Sequence, residues 1–180
     1  DEKLDKLAEA RYFTSLDLVH GYWQLYVAER HRHKTAFVTH DGLYEWNVLP
    51  FGLMNAPATF QRAIDKVLGN AKYKYAIGYL DDILIYSKTL QEHKEHLRDI
   101  LERLRQANLL IKPSKCHVGQ SKVNFLGYVV QNGQIHPDPE KVEAIKNWPI
   151  PESIKGVRRF LGMINFYGRF IPNLSKLREP

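Results

Sequence analysis

The chain has 180 residues, 44% hydrophobic and 26% charged, with 26 Lys and Arg against 20 Asp and Glu for a net charge of +6. That is the composition of an ordinary globular protein, long enough for one large domain or two small ones, and no run of about 18 apolar residues exists, which excludes a transmembrane helix. The lone cysteine, Cys116, excludes an intramolecular disulfide and a Cys-based zinc site and fits a reducing compartment. A pI near 9.3 permits a polyanionic partner without requiring one.

The first ten residues are amphipathic, with Leu4, Leu7 and Ala8 suggesting a short helix, and have neither a signal-peptide core nor an initiator Met. They read as part of a piece cut from a longer polypeptide. Arg11 to Leu18 alternates, with Tyr12, Thr14, Leu16 and Leu18 on one face and Phe13, Ser15 and Asp17 on the other, which predicts a strand. Two β-rich runs flank His40-Asp41-Gly42 between Thr35 and Trp46, a strong hairpin signal. A helix follows, with Asn55 as N-cap, Pro57 in the first turn, Phe60, Ile64, Val67 and Leu68 on one stripe, and Gly69 closing it.

Tyr75 to Tyr86 predicts a second hairpin, and Thr89 caps a long helix with the stripe Leu90, Leu97, Ile100, Leu101 and Leu104. Val123 to Gln131 reads as a strand run ending at the turn Gln131-Asn132-Gly133-Gln134. Beyond it the composition changes. A short helix carries Val142, Ile145 and Trp148, Pro149-Ile150-Pro151 breaks it, and a second helix carries Ile154, Val157, Leu161 and Ile164. A module boundary is expected near residues 132 to 137.

Asp81-Asp82 interrupts the apolar run Tyr75–Tyr86, with no Lys or Arg between Lys74 and Lys88. Aspartate is depleted in strands, and burying two adjacent carboxylates costs several kcal/mol unless a cation compensates. A bound metal supplies that charge, the alternative being an exposed turn. Asp17 repeats the anomaly in another strand-like segment. Three acids from two segments that can pair side by side make an all-oxygen site suited to Mg²⁺.

Four stretches, in order, then carry a resemblance: Phe13-Thr-Ser-Leu-Asp17-Leu-Val-His-Gly-Tyr22-Trp-Gln, Leu49-Pro-Phe-Gly-Leu-Met-Asn-Ala-Pro-Ala-Thr-Phe-Gln61, Tyr79-Leu-Asp-Asp82 and Phe125-Leu-Gly-Tyr128. They resemble motifs of reverse transcriptases, most of all those of gypsy-type LTR retrotransposons and the related plant pararetroviruses, over residues 11 to 178. One such motif is weak, and four in order are specific.

The resemblance implies an α+β fold: a polymerase palm with an antiparallel sheet and packed helices (a ferredoxin-like, RRM-like core) from residues 1–24 and 56–135, a partial fingers insertion at 25–55 and a small helical thumb at 136–180. It implies RNA- and DNA-directed DNA polymerase activity, in which a primer 3′-hydroxyl attacks the α-phosphate of a dNTP with two Mg²⁺ ions, or Mn²⁺, as cofactors. Asp17, Asp81 and Asp82 match the catalytic metal-binding acids, with the Leu18 carbonyl as a further ligand. Tyr22 matches the aromatic that excludes a ribose 2′-hydroxyl. Pro50, Phe51, Gly52, Gln61 and Tyr79 match nucleotide-pocket positions, and turn and cap chemistry also accounts for Gly52.

Lys115 matches a candidate proton donor to pyrophosphate, with Lys112 as the alternative. Phe125, Leu126, Gly127 and Tyr128 resemble the primer grip, and Arg158, Gly162 and Phe166 match a helix face along the duplex minor groove. Arg30-His-Arg-His-Lys34 is either a template-phosphate contact or a solvated turn. The implied partners are an RNA or DNA template with primer, dNTP, and the RNase H, protease and integrase parts of a Pol polyprotein, with no membrane and a place in cytoplasmic virus-like particles. The family has a further N-terminal fingers region that this chain begins too late to include. A catalytically incomplete nucleic-acid-binding or interaction fragment is therefore the alternative function.

Overall fold

The computed structural model describes residues 7, 9–131 and 133–179, so Leu4, Ala8 and Asn132, used in the sequence reading, lie outside the described residues. In chain order the elements are β1 (Tyr12–Asp17), α1 (Glu29–Arg32), β2 (Phe37–Thr39), β3 (Gly42–Tyr44), α2 (Ala56–Leu68), β4 (Ala76–Tyr79), β5 (Asp82–Ser87), α3 (Leu90–Gln106), β6 (His117–Gln120), β7 (Lys122–Phe125), β8 (Tyr128–Gln131), β9 (Gln134–Pro137), α4 (Pro139–Lys146), α5 (Ile154–Phe166) and α6 (Leu174–Leu177).

Alternation along β1 puts Leu16 and Phe13 on opposite faces, and both are buried because β1 is an inner strand of an antiparallel sheet ordered β4-β5-β1-β6. One face of that sheet, carrying Leu16, Ile83 and Ile85, packs on Phe60, Ile64 and Leu68 of α2 and on Ile100 and Leu104 of α3. The other face, carrying Phe13, Leu84 and Tyr86, packs on Val123, Phe125 and Val130 of a second sheet, β7-β8-β9. Gly78 is required where α2 crosses β4: a Cβ there would stand 2.7 Å from Ile64 Cγ2 and 2.8 Å from Leu68 Cδ1.

The hairpin about Asp41-Gly42 forms as β2 and β3, and Thr89 closes a full capping box with Glu92 on α3. Several expectations are corrected. Asn55 occupies the N-cap position of α2 but makes no side-chain cap bond; Pro in the first turn, which lacks an N–H, removes one donor needing a cap. The α3 stripe is rotated: His93, Ile100 and Leu104 are buried, whereas Leu90 and Leu101 face outward.

The run Val123–Gln131 is two strands, because Leu126 (φ 49°) and Gly127 (φ 79°) reverse the chain, and β6 and β9 add strands that no periodicity signalled. β9 pairs with β8 through Tyr128↔Pro137, so residues 134–137 form a strand of the second sheet. On α5 no residue is buried, and Ile154 (75% exposed) and Val157 (43%) do not face a thumb core. This helix has few elements to pack on, so its apolar stripe stays partly wet.

Candidate polymerase site

β1 and β5 pair in a register that sets Asp17 directly opposite Asp82. Directly opposed residues of an antiparallel pair have Cβ atoms roughly 5 Å apart on one face, where like charges repel. Alternation places both acids on the face that carries Phe13 and Leu84, away from α2 and α3. Asp81 arrives through the two-residue turn Leu80-Asp81 between β4 and β5, in which Leu80 holds a left-handed φ of 51°.

That strained turn is tied down from two sides. The Leu80 amide donates to Gln61 Oε1 (2.9 Å), while Gln61 Nε2 donates to the Gly78 carbonyl (3.0 Å) and to Asp65 (2.9 Å). The Leu18 amide donates to the Asp81 carbonyl at 2.9 Å. Gln61, expected at the nucleotide, therefore spends its amide on the carboxylate-bearing turn.

Burial, then the charge of Asp17 and that of Asp82, hold the Asp81 carboxyl above its ordinary value, against smaller opposing effects of Lys115 and His20. Burial and Asp17 likewise raise Asp82. Asp81 Oδ1 is buried with no hydrogen-bond partner among the described residues, although a buried carboxylate oxygen normally has one. Lys115, on a 3₁₀ turn over Pro113–Lys115, reaches Asp17 Oδ2 at 3.4 Å, and the Lys112 amide donates to the Asp17 carbonyl at 2.8 Å. Of the two lysines, Lys115 brings its ammonium to the acids.

Among the described residues no three His, Cys, Asp or Glu side chains stand ready as a metal cage, so the acids form an open rim. An open all-oxygen rim with an orphaned oxygen fits a hard divalent cation that keeps water and phosphate ligands.

Tyr22 lies beside the rim, packed against Phe51 and Phe60 with ring centroids 5.3 Å away in each case. Phe51 is 63% exposed, Tyr79 is half exposed, and Gly52 holds φ 90° with open space around it. Phe125 and Tyr128 are buried, which leaves Leu126 and Gly127 as the presented turn of the β7-β8-β9 sheet. That turn is joined to α5: Tyr128 Oη donates to the Phe166 carbonyl (3.1 Å), Tyr167 Oη donates to the Gly127 carbonyl (3.2 Å), and Phe166 stacks on Tyr128 at 5.2 Å. Arg158, Gly162 and Phe166 are all exposed, and no atom approaches a Cβ position on Gly162 within 4 Å. Packing among the described residues therefore does not explain that glycine.

Sequence reasoning missed three residues of the rim's support. Gly21 lies under Asp81, Gln24 bonds the loop after α3, and buried His93 accepts or donates at Thr14 (2.7 Å) and Ser87 (2.9 Å), linking the strands of Asp17 and Asp82. The oddity of a histidine at a core position of the α3 stripe was the available signal for His93.

An antiparallel sheet backed by two helices, with carboxylates at a hairpin turn and on the adjacent strand, is the architecture of a polymerase palm. The chain belongs to the reverse transcriptase (RNA-dependent DNA polymerase) family, whose pattern matches residues 1–130. It is 43% identical over 180 residues to the retrovirus-related Pol polyprotein from transposon 297 of Drosophila melanogaster, covering 100% of this chain and 17% of that protein. It is 39% identical to the transposon Tf2-3 polyprotein of Schizosaccharomyces pombe, covering 100% and 14%. The chain thus spans less than a fifth of the curated relatives it matches.

Among solved structures, it superposes on the foamy viral protease-reverse transcriptase dRH in complex with double-stranded DNA with a TM-score of 0.83 and 28% identity, covering 93% of this chain and 29% of that one. The foamy viral protease-reverse transcriptase in complex with an RNA/DNA hybrid gives 0.78 and 27%, covering 94% and 24%. No helix among the described residues is long and apolar enough to cross a membrane.

Proposed function

We propose that this chain is the palm and thumb portion of an RNA- and DNA-directed DNA polymerase that extends a primer 3′-hydroxyl with dNTP by two-metal nucleotidyl transfer. The observation that carries the proposal is the opposition of Asp17 and Asp82 beside Asp81, whose Oδ1 has no hydrogen-bond partner among the described residues. Asp17, Asp81, Asp82 and the Leu18 carbonyl would hold the Mg²⁺ ions, with Mn²⁺ as substitute. Bound divalent metal would activate the hydroxyl and neutralise charge on the transferring phosphate. Lys115 would hold a proton for the departing pyrophosphate from its place at Asp17. Tyr22 would bound the sugar, with Phe51, Gly52 and Tyr79 lining the nucleotide and Gln61 fixing the turn.

The Leu126-Gly127 turn would support the primer, and Arg158, Gly162 and Phe166 the duplex. We assign the palm to residues 1–24 and 56–135, the fingers insertion to 25–55 and the thumb to 136–180, a boundary that falls within β9. Template-primer, dNTP and the RNase H, protease and integrase parts of a Pol polyprotein would be its partners, in a cytoplasmic particle. A primer-extension assay with Mg²⁺ tests the reading. Extension by the chain that is lost in Asp17→Asn supports it; no extension, even after the remaining polymerase residues of a relative are supplied, replaces it with the non-catalytic binding fragment.

A further inference from the structure

We propose that Gln24 is a positioning residue, whose side-chain amide holds the loop 109–115 against the β1 segment so that the Lys115 ammonium stands at Asp17. After Asp17 the chain leaves the sheet and turns through a 3₁₀ segment, Gly21–Gln24. The loop after α3 meets it in a short antiparallel contact: the Val19 amide donates to the Leu110 carbonyl (2.9 Å), Leu18 bridges Ile111, and the Lys112 amide donates to the Asp17 carbonyl (2.8 Å). A contact this short is marginal by itself.

Gln24 extends it. Its Nε2 donates to the Val19 carbonyl (2.7 Å) and the Leu110 carbonyl (3.0 Å), and its Oε1 accepts from the Leu110 amide (2.6 Å). Both backbone groups of Leu110 are thereby bonded to one side-chain amide, as they would be by the opposed residue of an adjacent antiparallel strand. The residues joined are 86 apart in sequence.

The consequence falls on Lys115. Its contact with Asp17 is 3.4 Å and its side chain is 58% exposed, the class of ion pair that contributes little by itself and does not hold a loop. The loop must be fixed by other means for the ammonium to stay at the acid, and Gln24 does that with two bonds to Leu110, five positions before Lys115, and a third to Val19 on the β1 side. Gln24 hydrogen-bonds Val19 and Leu110 and none of the three carboxylates.

Carbodiimide treatment tests this, because it condenses a carboxylate with an amine in contact with it to an amide, the reagent taking up the water as a urea. The wild-type chain gives an Asp17–Lys115 link, read by mass spectrometry, and a Glu9–Lys88 link from the remote pair at 2.6 Å as internal control. In Gln24→Ala the first yield is expected to fall about tenfold, since proximity sets its rate, with the second unchanged. Gln24→Glu should fall too, although nearly isosteric, because it sets a carboxylate oxygen against two carbonyls. An Asp17–Lys115 yield equal to wild type in folded Gln24→Ala overturns the proposal.

Should Gln24→Ala not fold, nuclear Overhauser contacts between the Gln24 side-chain amide protons and the Leu110 amide of the wild type decide instead, and their absence overturns it. In an active polymerase, the same variant should lower kcat with KM for template-primer unchanged. That kinetic arm alone rests on the proposed function, so a chain without turnover removes the polymerase reading and leaves the cross-link result standing.

Discussion

The side chain of Asp81 fills the space that a Cβ on Gly21 would need: such an atom would overlap Asp81 Oδ1 and stand 2.7 Å from Phe60 Cζ. Neither neighbour yields easily, since Phe60 is fully buried and Asp81 sits on a turn bonded to Leu18 and Gln61. Gly21→Ala is expected to destabilise the chain by about 1–3 kcal/mol, the usual cost of overpacking, and to weaken Mn²⁺ binding because Asp81 must move. Urea unfolding and a metal titration check both.

Asp81→Asn should stabilise the metal-free chain while abolishing primer extension. The Asp81 carboxyl is raised above 3.8 by burial and by Asp17 and Asp82, so the unfolded chain loses this proton first, and folding is penalised as pH rises through the raised value. The gain in Asp81→Asn is therefore full at neutral pH, at most about 1 kcal/mol after solvent screening, and vanishes at acid pH where wild type is protonated in both states. Thermal melts across that range report it.

His93 predicts the opposite dependence in a separate window. Burial and the neighbouring His96 lower its pKa below 6.5, so the folded chain keeps it neutral. Stability is complete above 6.5 and falls as pH drops through the lowered value, because the unfolded chain takes up the proton first. Urea midpoints should decrease between about pH 7.5 and pH 5.5. In His93→Phe that dependence should flatten while stability drops by about 1–3 kcal/mol, since Thr14 and Ser87 each lose one of their hydrogen-bond partners.

Replacing Tyr22 by Ala opens space beside Phe51 and Phe60. Ribonucleotide use relative to deoxyribonucleotide should rise at least about tenfold, as one steric contact at a sugar is worth a few kcal/mol, while Tyr22→Phe keeps the ratio. An unchanged ratio in Tyr22→Ala would confine Tyr22 to packing.

At Gly162 folding and binding should part company. A Cβ there meets nothing within 4 Å, so Gly162→Ala is expected to stabilise α5 by about 0.5–1 kcal/mol. If the exposed face receives a duplex, the same methyl lowers duplex affinity and shortens products. A variant that melts higher and binds duplex as tightly as wild type would remove the groove contact from this helix.

The elements legible in the sequence were those with a strong local signal: the alternation around Asp17, the Asp-Gly hairpin, the capped helices and the acidic pair at a turn. Gly21, Gln24 and Gln61 were not legible as supports of the rim, since each acts on a segment far along the chain, 86 residues away for Gln24 and 19 for Gln61. The thumb stripe misled because a 3.6-residue period states which face is apolar, not whether anything covers it. β6 and β9 carry little alternation and are strands because neighbours offer them open edges.

The place of β1 in the sheet order has a consequence for synthesis. Its partners are residues 82–87 and 117–120, so the strand bearing the first acid emerges from the ribosome long before either exists. One of its edges stays open until about half of the chain has been translated and the other until about two thirds, a nascent state open to mispairing with other strands. Pauses in translation after β1 and before β6 should therefore lower soluble yield, whereas a pause after Gln120 should be harmless.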